Sequence, residues 1–223
     1  MTDSNFFKQH HYTKIKGLIP EDICNVATKY ALLKMETEFN PEGNDQQIPG
    51  THSIYSDTLM ETLMFFMLPH MEKHTGLELC PTYTYYRVYK TGDELLRHKD
   101  RPSCEISTTI CLGFSYKNAD PNYRWGIYID ELSAENKMID GVFVSSNNPG
   151  VRVNMDPGDV VIYRGCDVEH WRDKFDADRG SYHIQAFFHY IDKNGPYYPE
   201  YAYDRRKGIA YRRDQDITGQ LPK

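Results

Sequence analysis

Two histidines and one aspartate of this chain could together bind a metal ion. His98 and Asp100 are two residues apart, and His170 follows a second strand-like run at 159–164. Side chains two residues apart in an extended strand point to the same face, so His98 and Asp100 are expected side by side. Two imidazoles and one carboxylate are the protein ligands of non-haem Fe(II) sites, which keep open coordination positions. The pattern therefore predicts an iron site with room for further ligands.

The predicted elements around these residues follow a definite order. A His-x-Asp pair alone is common and usually lies in a solvated loop, so the order carries more information than the pair. The order is an aromatic strand at 83–89, a turn at 90–93, His98 and Asp100, an apolar strand at 106–112, a Pro-Gly-Asp turn and strand at 155–163, His170, Arg179 and a last strand at 182–190. Over about residues 80–192 this order resembles the 2-oxoglutarate- and Fe(II)-dependent dioxygenase superfamily, most closely its prolyl 4-hydroxylase-like branch.

This resemblance implies a reaction and its cofactors. It implies Fe(II) bound by His98, Asp100 and His170 as the catalytic centre, with 2-oxoglutarate as cosubstrate, O2 as oxidant and ascorbate as a supporting reductant. The implied reaction hydroxylates an unactivated C–H bond, most directly that of a prolyl residue in a peptide or protein, and releases succinate and CO2. The alternative is the same chemistry on a free amino acid or another small metabolite.

The resemblance also implies a cation for the far carboxylate of 2-oxoglutarate. Arginine suits this role because its planar guanidinium binds a carboxylate through two parallel hydrogen bonds. In similar proteins the basic residue opens the last strand of the barrel, roughly ten positions after the second histidine, which assigns the role to Arg179 here. Three other residues compete for the role: Lys174, His183 and Arg172.

A tyrosine is the second implied contact of 2-oxoglutarate. In similar proteins it lies just before the turn that precedes the His-x-Asp pair, which favours Tyr89 and leaves Tyr86 as the alternative because the turn is short here. Similar proteins often have another tyrosine on the strand after the pair, where this chain has Thr108, Thr109 or Cys111.

Two helices are predicted near the N-terminus, after an extended lead-in at 1–19. Proline and acids at Pro20-Glu-Asp are typical of a helix start, and this helix is expected to run to about Glu38. Ser56 or Asp57 can cap a second helix, which Pro69 should bend or end. The expected buried faces consist of Ile23, Val26, Ala27, Tyr30 and Leu33 in the first helix, and Leu59, Leu63, Phe66 and Met67 in the second.

From Leu79 onward the pattern changes to short strands. They are expected near 79–90, 104–117, 123–130, 140–145, 150–154, 159–164 and 180–191. The predicted fold is mostly β with N-terminal helices: a double-stranded β-helix (jelly roll) with the helices packed on its larger sheet. One domain, 1–223, is expected, with helical support at 1–78, the double-stranded β-helix core at 79–192 and a C-terminal extension at 193–223.

Composition and charge restrict the classes of partner that the chain is expected to bind. The net charge is −6, which disfavours nucleic acid because nucleic acids favour clustered positive charge. Five cysteines without paired spacing suit reduced thiols, and the N-terminus lacks the pattern of a signal peptide, so a cytoplasmic location is expected. No apolar run is long enough for a membrane span, so no membrane partner is expected.

The substrate is expected to meet the segments 117–150 and 40–55, with Arg124, Trp125 and Tyr128 as candidate contacts. Two other classes compete with the oxygenase: a cupin-like metal protein and a non-catalytic jelly-roll binding module. A cupin-like site would use three or four histidines, and the single His-x-Asp pair argues against it. The sequence does not indicate an oligomeric state.

The remaining histidines and the methionine row are interpreted as structural. The histidines expected to be surface or packing residues are His10, His11, His52, His70, His74, His183 and His189. Met60, Met64, Met67 and Met71 are expected to fill the core, because methionine adapts its shape to irregular gaps.

Overall fold

The computed structural model describes residues 3–38, 45, 47–135, 144–203, 206 and 208–209, so most of the predicted strand at 140–145 lies outside the described residues. The helices are α1 (Asp3–His10), α2 (Glu21–Glu38) and α3 (Thr58–Thr75). The strands are β1 (Tyr12–Ile15), β2 (His52–Tyr55), β3 (Leu79–Lys90), β4 (Leu95–His98), β5 (Ile106–Ser115), β6 (Ile127–Asp130), β7 (Val151–Val153), β8 (Val160–Arg164), β9 (Glu169–Arg172) and β10 (Tyr182–Asp192).

The strands form two antiparallel sheets that face each other. The larger sheet has the order β1-β8-β5-β10-β3-β2, and the smaller sheet has the order β4-β9-β6-β7. The chain crosses repeatedly between the sheets, as in a jelly roll, so the predicted double-stranded β-helix is confirmed.

The long strands at the centre of the larger sheet position the inner wall of the barrel. Gln185 of β10 pairs with Arg87 of β3, and Phe187 pairs with Tyr85. Side chains alternate between faces, so these residues point inward while their neighbours, such as Tyr86, point toward the helices. Nearly all of β3 and β10 is buried, since both faces are covered.

Helix α2 lies on the outer face of the larger sheet, as predicted, but it does not use the predicted apolar face. Its buried residues are the small side chains Cys24, Ala27 and Ala31. Three residues predicted to be buried, Ile23, Val26 and Leu33, are 38%, 60% and 60% exposed. The reason is close approach to the sheet: Thr28 lies against Gly113, where any Cβ would overlap its side chain.

Helix α3 also packs on this face and begins and ends with defined caps. Asp57 accepts hydrogen bonds from the backbone N–H groups of Leu59 and Met60, and Gly76 ends the helix in a left-handed conformation. Pro69 lies inside the helix and does not end it. The four predicted methionines are fully buried, whereas Phe66 is exposed. The interpretation of the methionine row as core is therefore confirmed.

Several short elements were not predicted from the sequence. The lead-in predicted as extended contains α1, and the strands β1, β2, β4 and β9 have only four residues each. Strands β1 and β2 pair with the longer strands β8 and β3, whereas β9 pairs with β4 and β6, which are equally short. These neighbours stabilise the short strands, so their own sequences carry little periodic signal. All five cysteines are free. No helix in the described part of the chain combines the length and apolar character needed to cross a membrane.

The cap of α3 can be tested by substitution. Asp57→Ala removes the cap and the carboxylate that accepts a 2.6 Å hydrogen bond from the Tyr30 hydroxyl. We expect the free energy of unfolding to fall by about 1–2 kcal/mol, measured by urea denaturation. Tyr30→Phe removes only that hydroxyl bond and should cost about 1 kcal/mol or less. Equal losses in the two variants would contradict a capping role.

Candidate active site

The two predicted histidine ligands face each other across a strand pair. His98 ends β4 and is directly opposite His170 of β9 in the register of the smaller sheet. Their ring centroids are 4.3 Å apart. Asp100 Oδ1 lies 3.7 Å from Nε2 of His98 and 3.6 Å from Nε2 of His170. The structure therefore brings together the three residues that the sequence suggested.

The secondary structure that carries these three residues differs from the prediction in two respects. Strand β4 ends at His98, so Asp100 lies in the following loop and not on the same strand. Its backbone N–H donates a 2.8 Å hydrogen bond to the carbonyl of Gly165, which sets its position. His170 lies on its own strand, β9, and not at the end of the run 159–164.

Backbone carbonyls orient both imidazoles. Nδ1 of His98 lies 2.7 Å from the carbonyl of Leu96, and Nδ1 of His170 lies 3.1 Å from that of Val168. An Nδ1–H that donates to a carbonyl leaves the Nε2 lone pair facing Asp100, as in many metal sites. The two imidazoles thus present their metal-binding nitrogens toward the carboxylate.

The protonation states also suit metal binding. Burial and the neighbouring His170 lower the pKa of His98 to about 4, so its ring is neutral near pH 7. Burial alone would raise the pKa of Asp100, but His170 and His98 more than reverse this effect and hold that pKa well below its usual value. Neutral imidazole and ionised carboxylate are the forms that bind metals. The donor set fits Fe(II).

The second oxygen of Asp100 is held separately. Ser107 Oγ donates a 2.9 Å hydrogen bond to Oδ2 and lies 2.9 Å from Nδ1 of His189. Gly165 packs directly against the carboxylate, so that a Cβ there would overlap Oδ2. Oδ1 is therefore the oxygen left to face the imidazoles.

The sequence neighbours of the three candidate ligands bond to each other and to the 3-10 turn Glu131–Glu135, which follows β6. Arg97 Nη1 donates a 2.9 Å bond to Glu169 Oε2, joining the neighbour of His98 to the neighbour of His170. Lys99 Nζ donates to the carbonyl of Ser133, and the backbone N–H of Glu169 donates to the hydroxyl of Ser133. These contacts lock β4, β9 and the His98–Asp100 loop together.

A cavity of about 780 Å³ opens beside the three ligands. Its inner wall includes Tyr163, Phe187 and Arg87, and its rim includes Tyr55 and Tyr83. The segment before and within β2 contributes Asp45, Gln47, Thr51, His52, Ser53, Ile54 and Tyr55 to the lining. The cavity is thus partly formed by the described residues of 40–55, and none of its lining residues comes from the described residues of 117–150, which are 117–135 and 144–150.

Two buried arginines lie inside the barrel, and they differ in their partners: Arg87 lines the cavity, and Arg172 packs on Trp125. Arg87 forms an ion pair with Asp45, with Nε 2.5 Å from Oδ2, and also donates to Gln47. Arg172 is 0% exposed and has no carboxylate within 4 Å among the described residues. Its Nη1 donates to the carbonyl of Trp125, whereas its Nε has no hydrogen-bond partner.

Tyr89 lies between these arginines and faces the barrel interior. It is fully buried, and its hydroxyl is 3.4 Å from Arg87 Nη1. Its ring packs edge-on against Trp125, which Arg172 also contacts. The alternative residue, Tyr86, points away from the barrel and packs with the helices.

The structure places Arg179 away from the ligands. It lies on an exposed turn, because β10 begins only at Tyr182. Lys174 is also exposed. The inward residue near the start of β10 is His183, whose ring bonds the Tyr116 hydroxyl, and burial together with Arg172 holds its pKa well below the usual value. Of the four basic candidates, Arg172 is buried and carries a permanent positive charge. It is also the candidate closest in sequence to His170, which it follows by two residues.

Three residues that line the cavity were not predicted as site residues from the sequence. The Tyr163 ring packs at a tilt against His170, with centroids 4.6 Å apart, while Cys104 and His189 lie beside Asp100. His189 was expected to be a surface or packing residue, but it lines the cavity. The sequence could have indicated this position, because His189 lies two residues after Phe187 and therefore on the same, inward face of the last strand.

The candidate substrate contacts on 117–150 lie elsewhere. Arg124 pairs with Asp156, and Tyr128 stacks on Trp171. Trp125 packs inside the barrel against Tyr89 and donates a hydrogen bond to the carbonyl of Asp173.

Comparisons with known proteins agree with this geometry at the level of the fold. No family model and no curated protein sequence matches the chain. Among solved structures, a Pseudomonas putida prolyl-4-hydroxylase matches with a TM-score of 0.58 and 15% identity, covering 85% of this chain and 96% of its own. The epimerase SnoN from nogalamycin biosynthesis, in complex with Fe3+, alpha ketoglutarate and nogalamycin RO, matches at 0.67 and 12%, covering 90% and 88%.

HygX from Streptomyces hygroscopicus, with nickel and 2-oxoglutarate bound, matches with a TM-score of 0.60 and 13% identity, covering 85% of this chain and 86% of its own. These identities are low, and the likeness is one of fold. The chain has the double-stranded β-helix fold found in these 2-oxoglutarate-binding proteins.

Proposed function

We propose that the chain is a 2-oxoglutarate- and Fe(II)-dependent oxygenase that hydroxylates an unactivated C–H bond. One observation carries the proposal: His98, Asp100 and His170 converge at a cavity, and two residues beyond His170 lies a buried arginine that has no carboxylate partner among the described residues. A metal and a dicarboxylate would satisfy both features together. The metal would take the three donors, and the distal carboxylate would meet the arginine.

Arg172 is the proposed anchor for 2-oxoglutarate, in place of Arg179. It lies on the same strand and the same face as His170, so its side chain enters the barrel beside the metal ligands. An isolated buried charge is costly, and a bound carboxylate would compensate it. Tyr89 would add a hydroxyl contact, as the sequence analysis predicted.

Arg87 is the other arginine that a carboxylate could reach, since it lines the cavity. Its charge is already balanced by Asp45, and Tyr85 donates to the same carboxylate. A ligand would have to displace Asp45 before it could bind Arg87. Arg172 needs no such exchange, which favours it as the anchor.

Bound Fe(II) and 2-oxoglutarate would supply the activation of O2 and the oxidation of a C–H bond, with release of succinate and CO2. The chain's own residues would position these parts. Ser107 and Gly165 hold the Asp100 carboxylate, and the Leu96 and Val168 carbonyls hold the two imidazoles. Phe187 and Tyr163 supply apolar surface to the cavity beside these ligands.

The substrate is proposed to be a prolyl residue of a peptide or protein, in line with the family branch that the sequence resembles. A polar small molecule is the second candidate. The polar lining of the cavity supports it, with Gln47, Thr51, Ser53 and Arg101 among the contributors. Similar folds bind such molecules: one solved HygX structure holds hygromycin B, and one SnoN structure holds nogalamycin RO.

The proposed activity can be tested directly. The chain would be incubated with Fe(II), 2-oxoglutarate, ascorbate and either proline-containing peptides or libraries of small metabolites. Mass spectrometry should find a product heavier by one oxygen atom, together with succinate. A product in only one library would decide between the substrate classes. Binding of 2-oxoglutarate with no substrate-stimulated succinate in any library would indicate a binding module instead.

The metal ligands can be tested without turnover. His98→Ala and His170→Ala should each abolish binding of Mn2+, a redox-silent analogue of Fe(II), in equilibrium dialysis. The two larger hydrophobic clusters of the core contain neither histidine, so circular dichroism should stay unchanged. His70→Ala, on α3 outside the barrel, is the matched control and should bind normally. Full Mn2+ binding by either ligand variant would refute the assignment.

The anchor can be tested through stability. Arg172→Met removes an uncompensated buried charge, so the ligand-free protein should be at least as stable as the wild type. With Mn2+ present, the wild type should gain thermal stability from 2-oxoglutarate, while the variant should need about 10–150 times more of it. Arg179→Gln, on the exposed turn, is the control and should behave as the wild type. Normal affinity in Arg172→Met would move the anchor to Arg87.

The support of Asp100 is also testable. Ser107→Ala removes the hydroxyl that holds Oδ2, and the affinity for Mn2+ should fall about 10- to 100-fold. Thr108→Val on the same strand is the control, because its hydroxyl bonds only the carbonyl of Val161. Its Mn2+ affinity should stay within about twofold of the wild type. Equal effects of the two variants would show that Ser107 has no special role.

A further inference from the structure

A second set of metal-binding side chains lies on the other side of Asp100. The ligand atoms of Asp100, Cys104 and His189 all lie within 4.8 Å of one another. Cys104 ends the short 3-10 turn Pro102–Cys104, and His189 lies on β10. All three residues line the cavity, so an ion could reach them. None of the roles assigned so far uses Cys104.

We propose that Asp100, Cys104 and His189 form a second metal site, which takes a thiol-binding divalent cation such as Zn2+ and whose occupation opposes metal binding by His98, Asp100 and His170. A thiolate, an imidazole and a carboxylate are all ligands that Zn2+ uses in proteins. Fe(II) at the three-residue centre has no sulfur ligand. The two sites therefore differ in the cation they favour.

The side chains of this second site are already held in place. The Tyr83 hydroxyl lies 2.9 Å from Cys104 Sγ, and Ser107 Oγ lies 2.9 Å from His189 Nδ1. Donor atoms bound to one zinc ion are roughly 3–4 Å apart, given zinc–ligand distances near 2.0–2.3 Å. Small side-chain movements would therefore bring the three donor atoms, now within 4.8 Å of one another, to the separation that an ion requires. The fourth position would face the cavity.

Binding requires the loss of one proton. Burial raises the pKa of Cys104 well above its usual value, so the metal-free side chain is a thiol. The cation would form a bond to sulfur, and the S–H proton would leave to solvent. No electron transfer is involved, and no further reactant is needed.

The shared carboxylate couples the two sites. Oδ1 of Asp100 faces the imidazoles, whereas Oδ2 is directed toward Ser107 and, through it, His189. Two divalent cations on opposite oxygens of one carboxylate would repel each other and divide a single negative charge. A cation at the second site should therefore weaken the first site, and the reverse effect must be equal in free energy.

The test uses the full chain, reduced and metal-free, titrated with Cd2+ as a spectroscopic analogue of Zn2+. A thiolate-to-metal absorption band should appear in the ultraviolet at one equivalent. It should also appear in the double variant His98→Ala/His170→Ala, which keeps the second site. Cys166→Ser, which removes the half-buried thiol, is the matched control and should keep the band.

Cys104→Ser should lose the band, and His189→Phe should need roughly tenfold more Cd2+ or more to form it. Circular dichroism checks the fold, and Cys104→Ala replaces the serine variant if serine does not fold. A band that persists without Cys104, or one that disappears in the double variant, would overturn the site. Both results are independent of oxygenase activity.

The coupling is tested with the same band. Anaerobic saturation with Fe(II) should raise the Cd2+ requirement of the wild type at least about tenfold, a coupling of about 1.4 kcal/mol. The double variant should show no such change. An equal Cd2+ requirement with and without Fe(II) in the wild type would overturn the proposed opposition.

Discussion

The pairing of β4 with β9 is the constraint on which the site depends. It places His98 directly opposite His170, with the two ring centroids 4.3 Å apart. Both strands have only four residues, so their alignment needs outside support. Arg97, Glu169 and Ser133 supply it from the outer face, where buried polar bonds tie the strands to the turn after β6. The candidate metal site is therefore built from short strands that long-range contacts hold in register.

The sequence predicted the fold class and the convergence of His98, Asp100 and His170, the three candidate metal ligands, for different reasons. The jelly roll followed from closely spaced strands, because alternation and turn residues are local signals. The ligands followed from residue type and order. Their local setting was harder to foresee: Asp100 is placed by a backbone bond to Gly165, a contact far along the chain. Spacing alone could not show that β4 ends before Asp100.

The errors arose where packing overrides periodicity. Helix α2 presents small residues to the sheet because Thr28 meets Gly113, so its larger apolar residues face outward. Arg179 was predicted as the anchor because it precedes the last strand, and it lies on an exposed turn there. Arg172 was only one of several alternatives, since sequence does not show which guanidinium is buried with no carboxylate beside it. Burial and the absence of a carboxylate are properties of the folded chain.

The ion pair between Asp45 and Arg87 has a consequence for how this cavity could diversify. One wall of the cavity comes from the segment before β2, outside the barrel strands that bear the metal ligands. Asp45 joins that wall to the barrel through Arg87, and it also accepts backbone bonds from Gln47 and Ile48. As long as this attachment is kept, neighbouring positions such as Gln47 and Ser53 can vary without disturbing the ligands. Evolution could thus exchange one preferred substrate for another by editing a peripheral segment while leaving the reaction centre intact.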